Sequence, residues 1–257
     1  MDALSALRET ITRIERRGPA DTLAPAPLGV AAVDRTLGGG LARGRLHELF
    51  AAEPADTGSA AGFAAMLACL AAPGDTPLVW LRQEEAERRG GRLHAPGLAA
   101  IGLDPARLLL VVLPDPVTLL RAAADVVRCA EVSVAVIELW KSPRALDLTA
   151  SRRLAVAAEA SGVTSLLLRV EAEPGPSAAQ TRWSIAAATS AALEADAPGL
   201  PAFDLTLLRQ RGRPAGDRWR LEWDRDLNCF RQAAPSGAVV PLAPSRSLAG
   251  DARRLVG

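Results

Sequence analysis

Residues 28–62 read LGVAAVDRTLGGGLARGRLHELFAAEPADTGSAAG. A strand is expected over 45–50, and the Ala-rich run 60–72 predicts a helix, with a polar loop between them. That order is the frame of a phosphate-binding loop, G-x-x-x-x-G-K-[ST]. In such a loop glycines let backbone N–H groups curl around phosphate, Lys neutralises it and the hydroxyl holds magnesium. With Gly58 as the second glycine, the first falls on Glu53, the lysine on Ser59 and the hydroxyl residue on Ala60. The chain's single lysine is Lys141, far downstream in a Trp-Lys-Ser-Pro turn, so no other gapping of the loop supplies one. The stretch reads as a nucleotide site that has lost its phosphate ligands, and ordinary ATP hydrolysis is not expected.

Outward from this stretch the pattern stays α/β. A short helix over 33–37 and a glycine turn at 38–40 precede the first strand. Strands are expected over 78–81, 108–113, 132–139 and 165–170. They are separated by a long polar, helical stretch up to Gly102 and by helices over 117–130 and 148–161. Strands that alternate with helices at this interval form βαβ units and a mostly parallel sheet, buried on both faces. After Glu171 the segments 183–188, 203–209 and 219–223 are shorter and joined by Gly/Pro-rich turns, which predicts an antiparallel extension.

The ends differ in character. Leu4, Leu7, Ile11 and Ile14 form one apolar stripe of an amphipathic helix over 1–18, a candidate partner-binding ridge. Residues 19–27 have the composition of a linker. The core is expected over 28–232, and the Ala/Pro/Ser/Arg-rich tail 233–257 as disordered when free.

The chain has 257 residues and a net charge of +1, so no global field draws it to nucleic acid or an anionic membrane. Cys69, Cys129 and Cys229 are an odd number without metal-ligand spacing. No metal and no cofactor are expected. Without a leader-like start or a spanning apolar run, the expected location is the cytoplasm.

LGVAAVDRTLGGGLARGRLHE, GLAAIGLDPARLLLVVLPDPVTLLRAAADVVR and SVAVIEL resemble the RecA recombinase core, as does SLLLRVE. The combination of GLARGRLHE, LHAPGLAAIGLDPARLLLV, AAQTRW and RWRLEWDRD resembles a narrower group over about residues 1–232, the ImuA proteins. This resemblance implies a RecA-like core and a role in damage-induced translesion synthesis (SOS mutagenesis), with RecA, ImuB and an error-prone DNA polymerase as partners. It places Glu138 where the family has its Walker B acid. It also places the connectors 140–147 and 172–182 where RecA has its DNA-binding loops. Both connectors are short and neither is basic and aromatic together, so DNA contact is expected to be weak or indirect. A RecA-type core also implies head-to-tail association, with self-association one form of it.

Other candidates have two readings each. Glu84 or Glu85 lies near the family's water-positioning glutamate, but without a phosphate cradle the favoured reading is a solvated Glu/Arg face. Glu138 reads as a vestigial acid that caps a turn or pairs with Lys141 or Arg144. His47 and His94 read as structural, and Gly38 to Gly40 as a tight turn. Alternation over 218–226 places Trp219, Leu221 and Trp223 on one face and Arg218, Arg220 and Glu222 on the other. With Arg209, Arg211 and Arg213, those arginines form a possible nucleic-acid or partner surface. The leading expectation is a non-catalytic adaptor. The alternatives are a divergent nucleotide hydrolase with an arginine-based phosphate site from Arg43, Arg45 or Arg82, and a single-stranded DNA-binding accessory protein.

Overall fold

The computed structural model describes residues 19–190 and 199–233. The ridge of Leu4, Leu7, Ile11 and Ile14 lies outside the described residues, as does the tail beyond Ala233. The described chain forms one nine-stranded sheet in the order β3-β2-β4-β5-β1-β6-β7-β8-β9. Strands β1 (Leu46–Ala51), β2 (Leu78–Gln83), β3 (Leu108–Leu113), β4 (Val134–Trp140), β5 (Thr164–Val170) and β6 (Thr181–Ala187) run parallel. Strands β7 (Ala202–Gln210), β8 (Arg218–Asp224) and β9 (Cys229–Gln232) add the antiparallel end. The parallel sheet with its antiparallel extension is as expected from the pattern. Strand β9 was not anticipated, because its four residues follow an Asp-Leu-Asn turn in which Asn228 takes a left-handed φ of 47°.

Seven described helices follow in chain order: α1 (Pro19–Thr22), α2 (Ala31–Leu37), α3 (Thr57–Ala71), α4 (Glu84–Gly90), α5 (Ala95–Ala100), α6 (Pro116–Val126) and α7 (Leu148–Ser161). Helix α3 is buried along most of its length on one face of the sheet, as an almost wholly apolar helix must be. Helices α6 and α7 bury Leu119, Ala123, Leu154 and Ala158 against the other face. Between α3 and the antiparallel strands, Phe63, Trp183, Phe203, Trp223 and Phe230 pack ring against ring, with centroids 4.8 to 6.5 Å apart. Trp219 joins them from the rim against Trp183. The alternation expected in β8 is therefore present, except that Glu222 on the polar face is buried and receives Arg231 of β9.

Residues 19–27, expected as a linker, are largely exposed but anchored to the core at two points. Ala20 and Ala26 are buried, and Ala26 exchanges both backbone hydrogen bonds with Leu41 at 2.8 Å. The glycine turn has its reason in the same contact. Gly40 sits at φ +128°, and a Cβ there would lie 2.2 Å from the carbonyl oxygen of Ala26. Asp34 of α2 reaches back to the N–H groups of Leu28 and Gly29 at 2.7 and 3.2 Å and closes the entrance to the core.

His47 is a structural histidine. Fully buried on β1, its Nε2–H donates to the Ala42 carbonyl at 2.8 Å, and its Nδ1 accepts from Thr181 at 2.7 Å. The Thr181 oxygen in turn accepts from the Trp183 indole N–H at 2.8 Å, which fixes the hydroxyl direction and hence the neutral tautomer. Burial, only partly offset by Ala42, lowers the imidazole pKa to about 4. Because the folded pKa lies below the unfolded one near 6.5, the unfolded chain takes up the proton first. Stability is therefore complete above pH 6.5 and declines as pH falls towards 4, by roughly 3 kcal/mol from this group. Denaturant titrations across that window check this. His47→Gln should flatten most of the slope, and an unchanged slope would refute the assignment.

Candidate functional site

The strand-loop-helix frame of a phosphate loop is retained. β1 ends at Ala51, the chain crosses 52–56 through a short 3-10 turn at Pro54–Asp56, and α3 begins at Thr57. The loop is braced by its own carboxylate. Asp56 Oδ2 accepts from the Glu53 N–H at 3.2 Å, and Oδ1 accepts from the Ala187 N–H at the end of β6 at 2.7 Å. Asp56 thus ties the loop to β6 and makes no hydrogen bond to the N–H groups that open α3. Thr57 spends its hydroxyl on Pro54 O at 2.7 Å. Of the degenerate positions, Glu53 and Gly58 are exposed, Ser59 is half-buried and Ala60 is fully buried.

Beside the loop, where β2 and β4 run in register, Arg82 faces Glu138. Both are buried. Arg82 Nη2 donates to Glu138 Oε1 at 3.2 Å, and its Nε lies 2.9 Å from Oε2 without aiming its hydrogen there, so that approach is coulombic. The Trp80 indole N–H donates to the same Oε2 at 2.9 Å. Arg82 also donates to the carbonyls of Ala86 and Gly91 at 3.2 and 2.6 Å, which draws α4 over the pair. Burial pushes the Glu138 carboxyl up, and Arg82 and Trp80 pull against it. The expected pairing of Glu138 with Lys141 or Arg144 is thus corrected. Those two residues are exposed in the following connector, whereas Arg82 is its register neighbour inside the sheet.

The three arginines considered for a phosphate site do not converge. Arg45 lies at the start of β1, about 20 Å along a six-residue strand from the loop, and pairs there with Asp21 and Glu159. Arg43 donates to Leu70 O at 3.0 Å, at the far end of α3. Arg82 alone is near the loop, and it is committed to Glu138. Glu84 and Glu85 form the solvated face expected of them. Arg88 lies 3.7 and 3.5 Å from the two, and Arg89 lowers the Glu85 carboxyl below its ordinary value. His94 caps α5, with Nδ1 accepting from Gly97 N at 3.2 Å.

On the opposite face of the sheet lies a second buried charge cluster that spacing did not reveal. Glu48 of β1 accepts from Arg182 Nε of β6 at 2.6 Å, and its other oxygen is 3.6 Å from Arg169 of β5. The remaining donors of these arginines hold the connectors. Arg169 reaches Lys141 O at 3.4 Å and the Ser142 hydroxyl at 3.2 Å, and Arg182 donates to Gly175 O. Arg209 adds a bond to Ser177 O at 3.0 Å. Lys141 and Glu171, which open the two connectors, both adopt left-handed φ of 61° and 49°. The first connector is thus tied to the sheet at Lys141 and Ser142, and the second at Gly175 and Ser177.

The C-terminal arginines do not form one surface. Arg209 and Arg211 turn towards the α7 side, where Arg211 lies 4.0 Å from Glu159. Arg213 packs on Gly38. Arg218 is exposed on the outer face of β8, and Arg220 forms a two-pronged pair with Asp204 across the β7–β8 ladder at 2.8 and 2.7 Å. Among the described residues no cluster of His, Cys, Asp and Glu has the makings of a metal site, and no helix is long and apolar enough to cross a membrane.

No protein-family model matches the chain. The chain is similar in structure to the crystal structure of the RadB recombinase, with a TM-score of 0.53 at 15% identity, covering 81% of this chain and 100% of that one. At that identity the likeness concerns the fold, and the fold is RecA-like. Among curated proteins, protein ImuA of Caulobacter vibrioides strain NA1000 is 33% identical over 238 residues, 86% of either chain, and protein ImuA of strain ATCC 19089 matches to the same extent. With a third of its residues identical across nearly its whole length, and with a RecA-like sheet beneath them, this chain belongs to the ImuA family.

Proposed function

We propose that this chain is a non-catalytic RecA-like adaptor of damage-induced translesion synthesis, acting in the cytoplasm through contacts with RecA, ImuB and an error-prone polymerase. The observation that carries the reading is that the charges beside the nucleotide position are committed to partners within the chain. Asp56 ties the loop to the end of β6, and Arg82, the arginine nearest the loop, is bound to Glu138. Phosphoryl transfer needs a cradle and neutralising charge, and neither is free here. A fold that keeps its shape without its chemistry is kept for its surfaces.

One such surface is the outer edge of the sheet. β3 pairs only with β2 among the described residues, and it exposes Leu109 (60%), Leu110 and Val112. An apolar, unpaired edge is a ready contact for another chain. The ridge of Leu4, Leu7, Ile11 and Ile14 is a second docking element.

The test is capture of RecA and of ImuB by the purified chain, with and without ATP, combined with a melting experiment in millimolar Mg-ATP. Nucleotide-independent capture that is lost when residues 1–20 are removed is the expected result. A functional nucleotide site at 100 times its Kd would add about 2.7 kcal/mol and raise Tm by several degrees. No shift is expected, and a clear one would overturn the non-catalytic reading.

A further inference from the structure

Helices α6 and α7 lie side by side on the face of the sheet opposite α3, and the groove between them is lined by arginine and apolar side chains, with Thr149 and Ser161 as its other polar groups. It has two continuous parts that share Arg128 and Arg153, of about 300 and 570 Å³. Val117 and Arg121 lie one turn apart on α6, and Arg128 follows just beyond its end. Arg152 and Val156 lie one turn apart on α7, with Arg153 beside them. Val156 is 56% exposed, and Val117 is exposed with it, while Ala124, Ala150 and Leu154 floor the groove. No carboxylate lines either part. Arg128 has a loose partner in Asp125 at 3.4 Å, and Arg121, Arg152 and Arg153 form no salt bridge among the described residues.

We infer that this groove is a docking site for an acidic, amphipathic peptide segment of a partner protein. In a chain of net charge +1, four arginines gathered around an apolar floor are a local feature rather than a consequence of overall charge. Guanidinium groups suit carboxylates because they bind them in two-pronged fashion. The exposed Val117 and Val156 call for apolar side chains between those carboxylates, the pattern of a helix laid in a groove. Single-stranded nucleic acid fits less well, since it stacks on aromatic rings and none lines this groove. The inference does not depend on the state of the nucleotide position, because the groove lies on the other face of the sheet.

The experiment uses the full chain and a fluorescent 18-residue helical peptide with leucine at three- and four-residue spacing and glutamate flanking it. A copy with glutamine for glutamate and a 30-nucleotide oligothymidine are run beside it. Anisotropy at 50 mM salt should show the glutamate peptide binding at least tenfold more tightly than the glutamine copy. Arg152→Glu with Arg153→Glu should weaken it at least tenfold, and Val156→Ser about threefold, with unchanged circular dichroism and melting. Methyl NMR should shift Val117, Leu120 and Val156 first. Equal binding of the two peptides, insensitivity to Val156→Ser, or oligothymidine binding that displaces the peptide would each overturn the proposal. Should the double variant not fold, the Val156→Ser and glutamine-peptide comparisons decide.

Discussion

Glu48→Ala should cost about 3–5 kcal/mol of folding stability, a large part of what a domain of this size possesses. Among the described residues, Glu48 is the only carboxylate that faces two buried guanidinium groups, Arg182 at 2.6 Å and Arg169 at 3.6 Å. Removing it leaves both cations in the sheet with like charge facing like charge. Burial already lowers the Arg169 pKa, with Glu48 opposing that shift and Arg182 adding to it. The effect reaches the surface, because these same arginines hold Lys141, Ser142 and Gly175. Amide exchange in 171–180 should accelerate more than exchange in α3, which has no part in the cluster. Glu48→Gln keeps an acceptor for Arg182 and should fall between. Denaturant midpoints and hydrogen exchange check both statements; a loss under 1 kcal/mol, or uniform exchange, would show that the connectors are held by something else.

The second large effect is expected at Arg82. Arg82→Leu strands Glu138 with a single hydrogen bond from Trp80, and it should cost about 3–5 kcal/mol at neutral pH. The deficit depends on pH with a definite sign. Burial already raises the Glu138 pKa, and loss of Arg82 raises it further. Relative to the parent, the variant should be nearly unimpaired below the ordinary carboxylate range and should lose stability as pH rises through and above it. Adding Glu138→Leu should restore most of the loss, since two apolar side chains in place of a buried ion pair are often neutral or stabilising. A double variant no better than the single one would mean that Arg82 acts through its bonds to Ala86 and Gly91 instead. Neither variant should gain binding to Mg-ATP, because neither adds a cation at the loop and the chain's single lysine, Lys141, belongs to another connector.

What was legible in advance follows from how far each property reaches along the chain. β3 and α7 were expected over the residues they occupy, and the other strands of the expected set differ by a few residues at their ends. Hydrophobic period is a local quantity, and it is strongest in buried parallel strands. β9 escaped because four residues carry too little period, although Phe230 completes the aromatic cluster. Residues 19–27 escaped because proline and alanine compose linkers and tight packing alike. The contact between Ala26 and Gly40 arises only when both segments meet.

From the sequence by itself came the α/β layering, the antiparallel end, the family, and the single lysine, Lys141, far from the loop that follows the first strand, since each is a matter of which residue follows which. The tertiary structure alone decided the partners of the buried charges. Glu138 takes Arg82 and Glu48 takes Arg182, some 56 and 134 residues away, because those strands lie in register beside them. It also brought arginines of two helices, distant in the chain, around one groove. A buried charge must pair with whatever the sheet places next to it, and strand order is settled by the packing of the whole core, not by neighbours in sequence.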